Sequence, residues 1–261
     1  MYPAICSVVL APLRREPSDA SEMVSQLLFG EIFEVLEETT KWNRVRGLHD
    51  GYEGWIDPKQ GRPLEHGMPV IPAPLALDPV SGLVRSGSER RWVMMGSPLP
   101  GRDASGAMDW LGETWQHDGA VCDPSALGPA TETRLHQIAM RYWHAPYLWG
   151  GRSPFGIDCS GLVQQVFRFF GKNLPRDAWQ QALEGVPVDF SDRRTGDLSF
   201  FRNEQDRVVH VGLVFPEGWI LHASGEVRLD RLGPEGIFRE KEGRWSHQRP
   251  EIRRMMPLHC T

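Results

Sequence analysis

Tyr147-Leu148-Trp149-Gly150-Gly151, followed after six residues by Asp158-Cys159-Ser160-Gly161-Leu162, is the stretch on which the reading of this chain turns. A loop containing Gly and Pro runs directly into an apolar helix, and a cysteine stands at the junction. Free amides and the macrodipole at a helix N-terminus favour negative charge, which predicts a Cys159 thiol with a lowered pKa. Asp158 occupies an N-cap-like position, where its carboxylate can hold the helix start. The helix is predicted over Cys159 to Phe170. Leu162, Val163, Val166, Phe167 and Phe170 form its buried side and Gly171 its stop. Taken alone, Cys159 reads better as a small buried hydrophobe, as most unpaired cysteines do.

Histidine alters that balance. Val208-Val209-His210-Val211-Gly212-Leu213-Val214 is a strand with one ionisable residue among apolar neighbours, and Trp219-Ile220-Leu221-His222-Ala223 repeats the arrangement. If Pro216-Glu217-Gly218 is a three-residue turn, His222 faces Gly212 and His210 faces Ser224. Both imidazoles then share one sheet face as diagonal neighbours, about 7–8 Å apart at the backbone. A two-residue turn would put them on opposite faces. With the first register, Cys159 is the candidate nucleophile, His210 its base, and His222 the group that fixes the base's tautomer. Tyr147 is placed to donate its hydroxyl to a developing oxyanion beside the Cys159 amide.

Around this centre the pattern is α+β, helices first and an antiparallel sheet after. Helices are predicted over Thr131 to Trp143 and Ala178 to Leu183, and strands over Leu198 to Phe201, Val208 to Phe215, Trp219 to Ala223 and Glu251 to Met256. Upstream, residues 1–60 read as five short strands: Ile5 to Leu10, Met23 to Leu28, Glu31 to Glu37, Trp42 to Gly47, and Tyr52 to Ile56 after a tight Asp50-Gly51 turn. Together they suggest a small barrel. Residues 61–125 are rich in Pro and Gly, with strand-like pieces at Met68 to Ile71 and Arg91 to Met95. A degenerate second barrel is expected there, because Trp92, Trp110 and Trp115 call for a core or a groove.

Length and composition bound the rest. A chain of 261 residues accommodates two or three small domains, and 40% hydrophobic with 24% charged residues is an ordinary globular mix. The formal charge of −5 argues against nucleic acid or an anionic membrane as partner. No apolar run approaches the roughly 18 residues of a transmembrane helix. The start of the chain lacks a basic n-region, which predicts a cytoplasmic protein, although a non-standard export signal stays an alternative. Cys6, Cys122, Cys159 and Cys260 form no C-x-x-C pair, so neither a zinc ribbon nor a disulfide framework is indicated. The histidines at 49, 66, 117, 136, 144, 247 and 259 show no metal-ligand spacing, and no metal or cofactor is expected. Trp245, Trp110 and Phe169-Phe170 read as core, and the pairs Arg193-Arg194 and Arg253-Arg254 as solvated faces.

The motifs Tyr147-x-x-Gly150-Gly151, Asp158-Cys159-Ser160-Gly161-Leu162, Leu174-Pro175-Arg176-Asp177, Gly196-Asp197-Leu198 and His210-Val211-Gly212-Leu213 with His222 resemble the NlpC-type cell-wall peptidases, a papain-like cysteine peptidase family. The resemblance covers nearly all of 130–225. It implies a papain-like peptidase domain over 126–261, with Cys159, His210 and His222 as the catalytic set and cleavage next to D-glutamate in peptidoglycan stem peptides. Met23-Val24-Ser25-Gln26, Gly30-Glu31, Trp42-x-x-Val45 and Asp50-Gly51-Tyr52-x-Gly54-Trp55 resemble a bacterial SH3-like domain. One or two small all-β SH3-like barrels, at 1–60 and 61–125, are therefore expected ahead of the peptidase domain.

The combination is similar to cytoplasmic recycling enzymes that cut between γ-D-glutamate and a diamino acid in murein peptides with a free N-terminal L-Ala. That implies Glu22, Tyr52, Asp158 and Ser160 as contacts for the free amine. Ala178 departs from the serine that relatives often carry after the Arg-Asp pair, which puts specificity in doubt. Two other readings stay open: an exported hydrolase that remodels the whole wall, and a wall-binding protein built on SH3-like modules. The sequence does not give the oligomeric state.

Overall fold

The computed structural model describes residues 1–64, 73–85, 89–126 and 128–259. Met68 to Ile71, His66 and Cys260 lie outside the described residues. The chain divides into two compact units. One comprises Met1–Ala126 with Trp149–Pro154, the other Leu127–Leu148 with Phe155–Thr261. The six-residue excursion 149–154 thus belongs with the N-terminal unit, although it lies just ahead of Cys159 in sequence.

In the first unit, β1 (Tyr2–Cys6), β2 (Leu10–Arg14), β3 (Met23–Leu28), β4 (Ile32–Glu38), β5 (Asn43–Gly47), β6 (Glu53–Ile56) and β7 (Gly61–Pro63) form one sheet in the order β3-β2-β6-β5-β4-β1-β7. The expected single first strand is split, because the chain leaves the ladder between Cys6 and Leu10. Alternation along β4 sends Phe33 and Val35 inward to join Ala11, Leu13, Leu27, Val45 and Ile56 in one core. Gly51, at φ 70°, makes the expected turn, with the Tyr52 amide donating to the Asp50 carboxylate at 3.0 Å.

Downstream, β8 (Val80–Val84), β9 (Arg90–Met94), β10 (Ala107–Trp110) and β11 (Glu113–His117) form a four-stranded antiparallel sheet in the order β9-β8-β11-β10. Trp110 and Trp115 are buried in a second core that also takes Ile5 and Phe29, so the two sheets share apolar packing. Trp92 is instead 52% exposed, with Arg90 over its ring.

The second unit holds α1 (Glu132–Ala139), α2 (Cys159–Arg168) and the short α3 (Ala178–Gln181). Its sheet has eight strands: β12 (Val186–Val188), β13 (Leu198–Arg202), β14 (Val208–Phe215), β15 (Trp219–Ser224), β16 (Glu226–Gly233), β17 (Gly236–Arg239), β18 (Arg244–Gln248) and β19 (Pro250–Arg254). The order is β12-β19-β13-β14-β15-β16-β17-β18, entirely antiparallel. The far edge curls back, so that β18 approaches β13. All ten residues of α2 are buried, and the helix packs on β14 and β15. The stop expected for α2 is present at Gly171, with φ 73°, whereas α1 and α3 end earlier than expected, at Ala139 and Gln181.

Two readings need correction. Trp245 is not core: it sits on the edge strand β18, 39% exposed, against Phe238. Arg254 is not a free surface charge either, because its guanidinium chelates the buried Asp197 at 2.8 Å through each of two nitrogens. No helix among the described residues is long and apolar enough to cross a membrane.

Candidate active site

The turn that decides the histidines has three residues. Leu213 pairs with Leu221 and Phe215 with Trp219, while Glu217 and Gly218 take positive φ to close the hairpin. His210 and His222 therefore share a face, and His210 Nε2 lies 2.8 Å from His222 Nδ1. Gly212 is needed between them: a Cβ there would stand 2.7 Å from Ile220 and 3.0 Å from the Cβ of His222.

The relay continues one strand further. Ser224 pairs with Glu226 around Gly225, so Asp230 faces Ile220 and is the diagonal neighbour of His222. Its Oδ2 lies 3.0 Å from His222 Nε2, and Arg228 donates to its Oδ1 at 2.9 Å. Asp230 went unnoticed in the sequence, yet carrying the same register through the Gly225 turn finds it. Burial opposes its charge, but His222 and Arg228 outweigh burial and hold the carboxyl below its usual range.

Ionised Asp230 can only accept, so His222 carries its proton on Nε2 and offers a lone pair at Nδ1. His210 must then donate from Nε2, which leaves its Nδ1 as the free base. Burial pushes the pKa of His210 well below the ordinary imidazole value, with His222, His247 and Arg239 adding to the effect. His222 is lowered too, chiefly by burial, with Asp230 opposing. Both rings are neutral near pH 7.

Cys159 opens α2, capped by Asp158, whose carboxylate accepts from the Gly161 amide at 2.7 Å. The sulfur takes main-chain hydrogen bonds at Val211, the residue after His210, and at Ser160. The expected lowering of its pKa is overturned. Burial first, and then the Asp158 charge, push the thiol up to about 12, and the main-chain bonds and Arg176 only partly offset this. The isolated thiolate is thus disfavoured, as is the isolated imidazolium. Transfer of the proton from sulfur to His210 creates both charges together, so each stabilises the other.

Asp158 has a further partner that sequence reading left without a role. Arg176 donates to both its oxygens, at 3.0 and 2.7 Å, and to Ser160 Oγ at 2.9 Å, all buried. Tyr147 is partly exposed, and burial together with the Cys159 and Asp158 charges raises its phenol to about 12, so it stays a donor across the working range.

Glu22 and Tyr52 belong to the first unit and Asp158 and Ser160 to the second. Glu22 accepts from the Trp149 indole at 2.7 Å and pairs with Arg15 at 2.9 Å. Ala178 opens α3, where Asp177 and Gln180 form a capping box.

His247, read as one scattered histidine, lies at the site. Its ring stacks on His210 with centroids 3.9 Å apart and planes at 25°. His210, His222 and His247 have nitrogens within 4.8 Å of one another. Near-parallel planes aim the lone pairs of His210 and His247 side by side, and the 2.8 Å separation of His210 from His222 is a hydrogen bond, so the cluster reads as a relay and not as a metal centre.

Residues 144–242 match the NlpC/P60 family and residues 13–60 the bacterial dipeptidyl-peptidase Sh3 domain. The chain is 31% identical over 215 residues to the gamma-D-glutamyl-L-lysine dipeptidyl-peptidase of Bacillus subtilis (strain 168), a match covering 76% of this chain and 71% of that protein. It is 26% identical over 261 residues to the protein of the same name from Bacillus cereus (strain ATCC 10987 / NRS 248), covering 87% and 75%. The crystal structure of an NlpC/P60 family protein from Bacillus cereus ATCC 10987 shares the fold with a TM-score of 0.83 at 22% identity, over 98% of this chain and 100% of that one. This chain is a cysteine peptidase of the NlpC/P60 family.

Proposed function

We propose that the chain hydrolyses the bond between γ-D-glutamate and a diamino acid in peptidoglycan stem peptides whose N-terminal L-Ala is free, and that it does so in the cytoplasm as part of murein peptide recycling. The relay from Asp230 through His222 to His210 carries the chemical half of this reading, because it leaves one free imidazole nitrogen beside the strand residue that touches the sulfur. The names of its relatives supply the bond.

In this mechanism His210 Nδ1 takes the Cys159 proton as Sγ attacks the γ-carbonyl carbon. The oxyanion is met by the Cys159 amide at the start of α2 and by the Tyr147 hydroxyl. Collapse breaks the C–N bond, and His210 gives its proton to the leaving amine. Water, deprotonated by His210, then attacks the thioester, releasing the L-Ala-γ-D-Glu dipeptide and restoring the thiol. Asp230 favours each imidazolium stage through His222.

Asp158 and Ser160 in the second unit, and Glu22 and Tyr52 in the first, carry the acidic and hydroxyl groups that a buried ammonium needs as partners. The test is kcat/KM for L-Ala-γ-D-Glu-diaminopimelate and its N-acetyl form, read by mass spectrometry beside Cys159→Ala. Cleavage of the free peptide alone, lost in the variant, is the expected outcome. Equal rates on both peptides would instead favour an enzyme of intact wall, and fractionation of native cells tests the compartment.

A further inference from the structure

The backbone around His247 is held in an uncommon shape. Gly236 pairs with Gln248 and Ile237 with Ser246, so His247 is the extra residue of a β-bulge in β18. His247 has φ 48° and Arg249 φ 59°, both in the left-handed region that side chains avoid. Gly236, at φ 147°, makes room for the bulge: a Cβ there would stand 2.5 Å from the His247 carbonyl oxygen. Bulges re-aim side chains, and local strain of this kind gathers at functional sites. Here the bulge turns one imidazole onto the face of another, from a strand four places away in the sheet and outside the segment that matches the family.

We propose that His247 is a positioning residue for the peptidase reaction: its ring covers one face of His210, keeps that base aligned with His222, and excludes water from the hydrogen bond between them. This rests on the mechanism proposed above. Phe201, paired with His210 across β13 and β14, also lies against that ring, with centroids 5.9 Å apart, and touches His247 at 6.0 Å. His222 meets His247 edge-on at 5.9 Å, and His247 Nδ1 lies 3.2 Å from Ser246 Oγ.

The charged and titratable groups facing His247 are His210 on β14, His222 on β15, Asp230 on β16 and Arg239 on β17. Burial, with His222 and Arg239, lowers His247 to about 4 against the opposing pull of Asp230. The ring over His210 is therefore neutral at working pH. A neutral aromatic face tolerates the imidazolium that forms beneath it, whereas a second cation would not.

Three substitutions separate this from a merely structural role. His247→Phe keeps a flat ring, while His247→Ala and His247→Gln remove it. Each is measured for kcat, KM, thermal unfolding, and the pH dependence of Cys159 alkylation by iodoacetamide. Alkylation reads the thiol–imidazole pair without any peptide, so it judges the role of His247 even if the proposed substrate is wrong.

The expected result is a loss of kcat on the order of 10- to 100-fold in the Ala and Gln variants, with KM little changed, since small misplacements of a catalytic group cost that much. Water reaching His210 relieves its desolvation, so the acid limb of alkylation should move up by about one pH unit, toward ordinary imidazole. His247→Phe should retain rate and profile to within about three-fold, because the cover remains. Wild-type kcat and alkylation in whichever ring-free variant folds would overturn the proposal, and so would a Phe variant as slow as they are.

Discussion

Among the described residues, each unit of the molecule holds an arginine at most 1% exposed against a buried carboxylate, Arg152 on Glu31 and Arg176 on Asp158, and the two pairs differ in what hangs on them. In the first unit Arg152 donates to both oxygens of Glu31, at 2.8 and 3.0 Å, and to the Gln26 carbonyl at 2.6 Å. Glu31 in turn accepts from the Leu28 amide at 3.0 Å. In the second unit Arg176 grips both oxygens of Asp158, which caps α2. The chemistry is the same, a planar fork on a carboxylate that also accepts a main-chain N–H. The Glu31 pair holds the end of β3 and the segment 149–154. The Asp158 pair holds the helix turn that carries the nucleophile. Buried ion pairs add little net stability over an apolar substitute, but losing one partner strands the other. Both pairs should therefore be costly to break, and only one should be costly to chemistry.

Arg176→Met should have the largest effect. It strands the Asp158 charge, costing about 3–5 kcal/mol in denaturant unfolding. It also leaves that charge unopposed beside a thiol it already disfavours, so kcat should fall on the order of 100-fold and alkylation of Cys159 should slow. Arg152→Met should cost a similar 3–5 kcal/mol while kcat of the folded protein stays within about three-fold. Equal losses of kcat in the two variants would erase the distinction.

Double substitutions sharpen it. Arg152→Met with Glu31→Gln, and Arg176→Met with Asp158→Asn, each remove both charges and keep an acceptor for the local amide. Stability should return largely in both, to within about 1–2 kcal/mol of wild type. Activity should be near wild type only with the Glu31 pair. In the other, KM for the free-amine peptide should rise, because Asp158 is proposed to face the ammonium and Asn has no charge to offer it.

What was legible in the sequence follows the same division between local and distant causes. The α2 start, its cap and the three-residue turn at Pro216–Gly218 are set within a few residues, and reading them puts Cys159 at the helix start and His210 and His222 on one face of the sheet, as the structure has them. Asp230 needed only the register carried through one more turn. His247 could not be read this way, because it arrives through the curl of an eight-stranded sheet and a bulge, neither of which leaves a local pattern. The thiol pKa differs from the expectation because helix position is visible in sequence, whereas burial of the thiol is not. The partners of Arg152 likewise lie more than a hundred residues away in the chain.

A milder change tests the relay's far end. Asp230→Asn removes the charge that supports His222 as a proton acceptor. It should lower kcat on the order of ten-fold, about 1.4 kcal/mol of transition-state support. The sign of the pH effect follows from the same interaction. Asp230 raises the basicity of His222, so its loss should shift the acid limb of kcat/KM to lower pH, whereas exposing His210 to water by removing His247 should shift it upward.

The smallest expected effect belongs to Ser160, which sits inside the Arg176 pair and is also proposed to touch substrate. Its hydroxyl donates to Asp158 at 3.2 Å and accepts from Arg176 at 2.9 Å. Ser160→Ala removes both bonds, but Arg176 keeps its two contacts to Asp158, so no charge is stranded. The structural cost should be that of ordinary buried hydrogen bonds, about 1 kcal/mol each or less. Alkylation of Cys159 should be unchanged, because the thiol's main-chain bond at residue 160 survives. If the hydroxyl also binds the free amine, KM for the L-Ala peptide should rise several-fold at constant kcat, a loss of binding shared by ground and transition states. Steady-state kinetics beside a denaturation curve separate the two roles. A stability loss near 1 kcal/mol with KM unmoved would leave Ser160 as scaffold and remove it from the ammonium site, with Glu22, Tyr52 and Asp158 still to be tested there.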